Sequence, residues 1–208
     1  MSDNLLGSLR KSTATAQPSG PPAGHHHMAW VTHEFEATVD FYTRVMKMPL
    51  VNAVTDDRIP STGEPAPYIH IFFRLGDGSS MAFFAAPGVP RIAPPVHPVY
   101  VAFTHVALEV ADRAQVQLWR DWLRECGVEV IEHDHGIIHS IYFFDPNGLR
   151  LEITTTIDPQ WNDQQVEARA AVDRWIRTEK EARAKGQDVT EALLALARVP
   201  TKPGTVSA

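Results

Sequence analysis

The chain has 208 residues, 44% of them hydrophobic and 21% charged, with a formal net charge of −6. This composition suits one globular domain or two small units sharing a core, and the acidic balance argues against nucleic acid or acidic membranes as partners. No run of 18 apolar residues is present to span a bilayer. The single cysteine, Cys126, excludes an internal disulfide framework, and residues 1–24 hold no apolar signal core, so a reducing, cytoplasmic setting is expected.

Residues 1–24 are rich in Ser, Thr, Pro, Gly and Ala without periodicity and read as a mobile tail. His25–His27 lead directly into an alternating, strand-like opening, "HMAWVTHE". A helical pattern follows in "EFEATVDFYTRVMKM", then three apolar runs: "LVNAV", "YIHIFFRL" and "SMAFFAA". A Pro-rich loop, "DDRIPSTGEPAP", separates the first two runs, and "GDG" at 76–78 turns the chain before the third. After a stiff stretch, "PGVPRIAPPVHPV", the same order recurs. "HVALEVAD" opens it, "DRAQVQLWRDWLREC" is helical, and "VEVIE", "HSIYFF" and "LRLEIT" are strands, with the turn "DPNG" before the last. The predicted organisation is a tail at 1–24, a strand–helix–strand–strand–strand module at 25–89 and a linker at 90–101. A second module of the same kind spans 102–157, and a helical extension runs over 158–208. In that extension Asp188 and Glu191 form a capping-box pattern, and Trp161, Trp175 and "ALLALA" supply apolar surface for a homodimer.

Strand alternation sorts the candidate residues. In "HVALEV" His105, Ala107 and Glu109 share one face; in "LRLEIT" Arg150, Glu152 and Thr154 do. His27 and His105 open equivalent strands of the repeat. If a pseudo-twofold relates the modules, His27, His105 and Glu152 can converge as two imidazoles and one carboxylate. Three ligands leave coordination positions open for substrate.

The stretches "HMAWVTHEFEATVDFY", "HVALEVAD" and "IYFFDPNGLRLE" resemble the vicinal oxygen chelate superfamily of glyoxalases, fosfomycin-resistance enzymes, bleomycin-resistance proteins and extradiol dioxygenases, over residues 26–157. The resemblance implies an α+β fold of two paired βαβββ modules around a U-shaped cup, with metal ligands at His27, His105 and Glu152. A fourth acidic ligand, frequent on the last strand of the first module, is missing from "SSMAFFAA", which favours a 2-His-1-carboxylate face. The segment from His133 through Tyr142 and the Asp145-Pro146-Asn147-Gly148 turn to Glu152 matches the extradiol dioxygenase signature. The implied function is an Fe(II) enzyme that cleaves a catechol-type aromatic diol with O₂, as in the catabolism of aromatic compounds. His133 then acts as acid or base, and Tyr142 bonds a substrate oxygen. A further histidine that such enzymes carry about 15 residues before the second metal histidine is replaced here by Pro90, and His97 stands nearer in the linker. Two alternatives remain. One uses Mn(II), Zn(II), Ni(II) or Co(II) as a Lewis acid in an isomerase, epimerase or lyase, and the other is a non-catalytic small-molecule binder. His70, His135, His139 and Phe72 are expected to line the pocket. His33, before the first helix, is expected to cap or to be exposed.

Overall fold

A computed structural model describes residues 18–93 and 97–198. The first 17 residues of the expected tail lie outside the described residues, and 18–24 form neither helix nor strand. The chain divides into two compact units: residues 1–94 together with 145–148, and residues 95–144 together with 149–208.

The first unit is a four-stranded mixed sheet built from β1 (His27–Val31), β2 (Leu50–Arg58), β3 (Pro65–Arg74) and β4 (Ser80–Ala85), in the order β1-β4-β3-β2. β1 runs parallel to β4, with His27 opposite Ser80, and the other pairings are antiparallel. Helix α1 (Phe35–Asp40) continues into a π-helical turn over Phe41–Val45. Its buried Phe41, Tyr42 and Val45 meet the face of the sheet that carries Ile71, Phe73, Met81 and Phe83. The Tyr42 ring stacks on Phe73 at 5.2 Å and tilts over Phe83 at 4.8 Å.

The hairpin between β2 and β3 corrects one expectation. Half of the Pro-rich stretch at 56–67 is strand, and the loop shrinks to residues 59–64, closed by Ile59 N–H donating to the Glu64 carbonyl. Proline is tolerated at 65 and 67 because β3 pairs with β4 only from Ile69 onward, so no donor is needed on that edge.

The turn at 145–148 belongs to this unit, where Tyr42, 0% exposed, donates its hydroxyl to Asp145 Oδ2 at 3.1 Å. Asn147 accepts from Thr32 Oγ1 at 2.8 Å and donates to Thr38 Oγ1 at 3.0 Å. Burial, and then the Asp145 carboxylate, push the Tyr42 phenol well above its ordinary pKa. Tyr42→Phe removes a buried donor and leaves a buried carboxylate oxygen short of one partner. The expected cost is about 1–3 kcal/mol of unfolding free energy, read by urea denaturation, with m unchanged.

The second unit repeats the sheet with β5 (Val106–Glu109), β6 (Ile131–Asp134), β7 (Ile138–Phe144) and β8 (Arg150–Thr156), in the order β5-β8-β7-β6. Helix α3 (Arg113–Glu125) starts where the Asp112 carboxylate accepts from Gln115 N–H at 2.8 Å. It stops at Gly127, whose φ of 81° is the left-handed conformation that ends helices. Val116 and Leu123 of α3 are buried, as are Ile141, Phe143, Leu151 and Ile153 of β7 and β8, the strands the helix packs on. β6 begins three residues later than the sequence pattern suggests, because Val128 N–H closes the helix end on the Leu123 carbonyl.

The last third of the expected linker, 98–101, is helical: α2 (Pro98–Phe103) begins with proline at its first turn, and His97 Nδ1 accepts from Val99 N–H. α4 (Gln165–Ala184) and α5 (Val189–Ala197) follow β8 and pack on each other. Asp188 caps α5 by accepting from Glu191 N–H at 2.8 Å. Among the described residues no helix is long and apolar enough to cross a membrane.

Candidate functional site

In the second unit, alternation along β7 and β8 turns Ile141, Phe143, Leu151 and Ile153 toward the core. Ser140, Tyr142, Glu152 and Thr154 therefore share the other face. Register then sets the neighbours: Tyr142 lies opposite Glu152, and Ala107 of β5 flanks Glu152 on the other side.

Glu152 is 2% exposed and organises this face. Its Oε2 lies 2.9 Å from Nε2 of His105, whose side chain is 29% exposed. Its Oε1 accepts the Tyr142 hydroxyl at 3.1 Å. The same hydroxyl is 2.8 Å from Nε2 of His135. Because the phenol proton points to Glu152, the tautomer of His135 that satisfies this contact carries its proton on Nε2. His133 completes the line, with its ring centroid 4.4 Å from that of His135. Glu152, Tyr142 and His135 thus form a hydrogen-bonded row, with His105 against the free end of Glu152 and His133 leaning on His135.

Burial first, and then the Glu152 charge, raise the Tyr142 pKa, so the phenol stays protonated at neutral pH. His135 is shifted the other way. Desolvation and the neighbouring His133 lower its pKa against the opposing pull of Glu152 and Asp134, which keeps the ring neutral near pH 7.

Arg150, two residues before Glu152 on the same face, was not anticipated as a site residue. Its guanidinium packs 4.2 Å over the Tyr142 ring and donates to the Ala102 carbonyl at the end of α2. The i, i+2 spacing from Glu152 is the sequence signal that marks it.

His139 sits on the other side of β7. Its Nε2 contacts Glu132 at 2.9 Å and its Nδ1 lies 3.3 Å from Arg113, while Glu132 also pairs with Arg120 of α3. It is therefore part of an ion network between β6 and α3, separate from the row on Glu152.

In the first unit the face away from α1 carries His27, His70, Phe72 and Phe84. His27 has its ring 5.6 Å from Phe72 and 6.0 Å from His70. Its Nδ1 lies 2.8 Å from Nδ1 of His26, a contact in which one ring donates and the other accepts. His70 stacks on Phe84 at 3.6 Å, and desolvation, then His27, lower its pKa. His33 contributes its backbone N–H to Asn147, and Glu34 rather than His33 precedes the first helical residue. His97 is engaged as the cap of α2.

Of the three expected metal ligands, the structure brings His105 and Glu152 together in one unit and places His27 in the other. Among the described residues no group of three His, Cys, Asp or Glu side chains is gathered as a metal centre. The pair in the second unit fits a divalent ion by its chemistry. A deeply buried carboxylate with one oxygen directed at an imidazole nitrogen, and the other fixed by a phenol, offers an oxygen donor and a nitrogen donor at one point.

The profile of the Glyoxalase/Bleomycin resistance protein/Dioxygenase superfamily matches residues 16–153, about two thirds of the sequence, and the chain belongs to that superfamily. Its fold recurs in solved structures. A glyoxylase/bleomycin resistance protein/dioxygenase domain from Frankia sp. EAN1pec superposes with a TM-score of 0.53 at 13% identity, covering 65% of this chain and 99% of its own. A glyoxalase/dioxygenase from Nostoc punctiforme gives 0.52 at 20% identity, covering 70% and 99%. A fosfomycin resistance protein from Listeria monocytogenes, complexed with Mn(II) and dihydroxypropylphosphonic acid, is similar at 17% identity and a TM-score of 0.46, covering 64% and 92%. No curated protein matches the sequence.

Proposed function

We propose that this chain is a metal-dependent vicinal oxygen chelate enzyme. In this reading His27, His105 and Glu152 hold one divalent ion, Fe(II) foremost, and the reaction is extradiol cleavage of a catechol-type ring by O₂. The observation that supports it most is the row from His105 through Glu152 and Tyr142 to His135. It couples a potential metal ligand to a neutral imidazole through a single phenol.

A divalent ion held by His27, His105 and Glu152 would supply Lewis acidity toward a substrate with two adjacent oxygens. The protein's own groups do the rest. Glu152 is kept from rotating by Tyr142, so one carboxylate oxygen stays available beside His105. Neutral His135 takes a proton from a substrate hydroxyl on Nδ1, the nitrogen this tautomer leaves unprotonated, and returns it later. His133, exposed beside it, exchanges that proton with water. The face of the first unit with His70, Phe72 and Phe84 offers aromatic surface suited to a flat ring.

The reading predicts that anaerobically prepared, Fe(II)-loaded protein turns a catechol yellow while consuming one O₂ per ring opened. Oxygen-electrode traces on a panel of substituted catechols test it, and a flat trace with the whole panel would sink the dioxygenase. Pro90, where such enzymes carry a histidine, favours one second reading. This is Lewis-acid chemistry with Mn(II), Zn(II), Ni(II) or Co(II) on an α-hydroxy or α-keto compound. It predicts turnover under strict anaerobiosis with proton exchange at the substrate α-carbon.

A further inference from the structure

The two sheets serve as controls for each other. Through their last two strands, equivalent positions are offset by 70 residues. The pair Phe72 and Ala82 answers Tyr142 and Glu152, and the pair His70 and Phe84 answers Ser140 and Thr154. In the second unit the last of these pairs is polar and satisfied, with Ser140 Oγ 2.8 Å from Thr154 Oγ1. In the first unit the neighbour is a phenyl ring with no polar atom to offer. His70 lies flat on Phe84, with centroids 3.6 Å apart and planes at 17°, and Phe72 closes on it at 4.1 Å.

The consequence is an anomaly. Nε2 of His70 is buried and has no hydrogen-bond partner, and no other buried side-chain nitrogen or oxygen among the described residues shares that condition. A buried polar atom left unpaired costs the desolvation of that atom, while an apolar side chain at the same place costs nothing of the kind. Leu or Phe would suit a wall already made of Phe72 and Phe84. A histidine kept there at a loss to stability is explained if its partner arrives from outside the chain.

We propose that His70 Nε2 is a ligand contact that hydrogen-bonds an uncharged oxygen, hydroxyl or carbonyl, on the substrate. The surroundings select the class. Between two phenyl faces an ionised group would lose its hydration without a counter-charge, whereas a neutral oxygen needs one hydrogen bond, which the imidazole supplies. The proposal rests on the metal–diol reading for its substrate, because His70 stands beside the expected ligand His27. The stability cost stands without that reading.

The test uses His70→Phe, His70→Leu and His70→Gln in the full chain. Thermal unfolding of the metal-free protein gives one measurement. Calorimetric titration of the Zn(II)-loaded protein with catechol, a redox-inert pairing, gives the other. The Phe or Leu variant is expected to unfold about 2–4 °C higher than wild type, because an unsatisfied atom is gone. Both are expected to bind catechol roughly tenfold more weakly. Gln, which returns a polar atom near the Nε2 position, recovers part of the affinity. The proposal is overturned if neither Phe nor Leu raises the midpoint, since Nε2 is then satisfied in the native protein. It is equally overturned if both variants bind catechol as wild type does. A wild-type protein that binds no catechol refutes the metal–diol reading alone. In that case the unfolding midpoint still decides, a rise supporting His70 as a ligand-facing atom and no rise removing it.

Discussion

Glu152→Gln is expected to weaken divalent-metal binding by about 100-fold or more and to abolish turnover, while the protein stays folded. Changing a partner outside the coordination shell already costs 10–100-fold in known sites, and a ligand that loses its charge stands at or beyond that upper limit. Glutamine keeps the shape of the side chain, and its amide oxygen still accepts the Tyr142 hydroxyl, so the row on β7 and β8 survives in outline. What disappears is the negative charge facing His105 at 2.9 Å. Metal content after dialysis against equimolar Fe(II) or Mn(II), with far-ultraviolet circular dichroism as the folding control, measures both halves. Unchanged occupancy would remove Glu152 from the ligand set. His27→Ala is the parallel experiment for the first unit, and unchanged occupancy there would remove His27.

The second large effect falls on the proton path. His135→Phe and His133→Phe are each expected to lower the turnover rate by roughly 10²–10⁴-fold with metal occupancy retained. If the two imidazoles act as one relay, the double variant costs no more than the worse single variant, because groups acting as a unit are not additive. Losses that multiply would instead make them independent. The pH dependence follows from the shift at His135. Its pKa in the folded protein lies below the ordinary 6.5, so folding favours the neutral ring. The stability tied to that preference is present above pH 6.5 and is lost as pH falls through the lower folded value. The rate follows the same form, since the base works only when neutral. The acid limb of the rate profile should therefore have its midpoint below 6.5. A midpoint above it would place the base elsewhere.

Much of this geometry was readable from period-two alternation alone. Once "HVALEV" and "LRLEIT" are taken as strands, Leu151 and Ile153 must face one way and Glu152 the other, and the pairing of β5 with β8 places His105 beside it. The repeat order of strand, helix and three strands was legible for the same reason. The hairpin histidines were harder. His133 matches the signature spacing, yet it is His135, just past the end of β6, that holds the Tyr142 hydroxyl. His139 was grouped with the pocket by its proximity in sequence, although strict alternation from Tyr142 already points it to the helix side. Nothing local announces that Asp145 and Asn147 are more than turn residues. Their partners Tyr42, Thr32 and Thr38 lie over 100 positions away, beyond the reach of any periodicity.

Those last contacts bear on how the protein is made. The repeat in the sequence suggests a copy that finishes folding before its duplicate leaves the ribosome. The first unit is not so complete. Its core hydroxyl, on Tyr42, waits for an acceptor 103 residues downstream, and Thr32 waits for Asn147 across 115. A nascent chain of 94 residues must either bury that hydroxyl unpaired or leave its helix undocked, and closing so long a loop is slow and entropically costly. The earlier half is sealed by four residues borrowed from the later half, and residues 1–94 cut out alone would lack them.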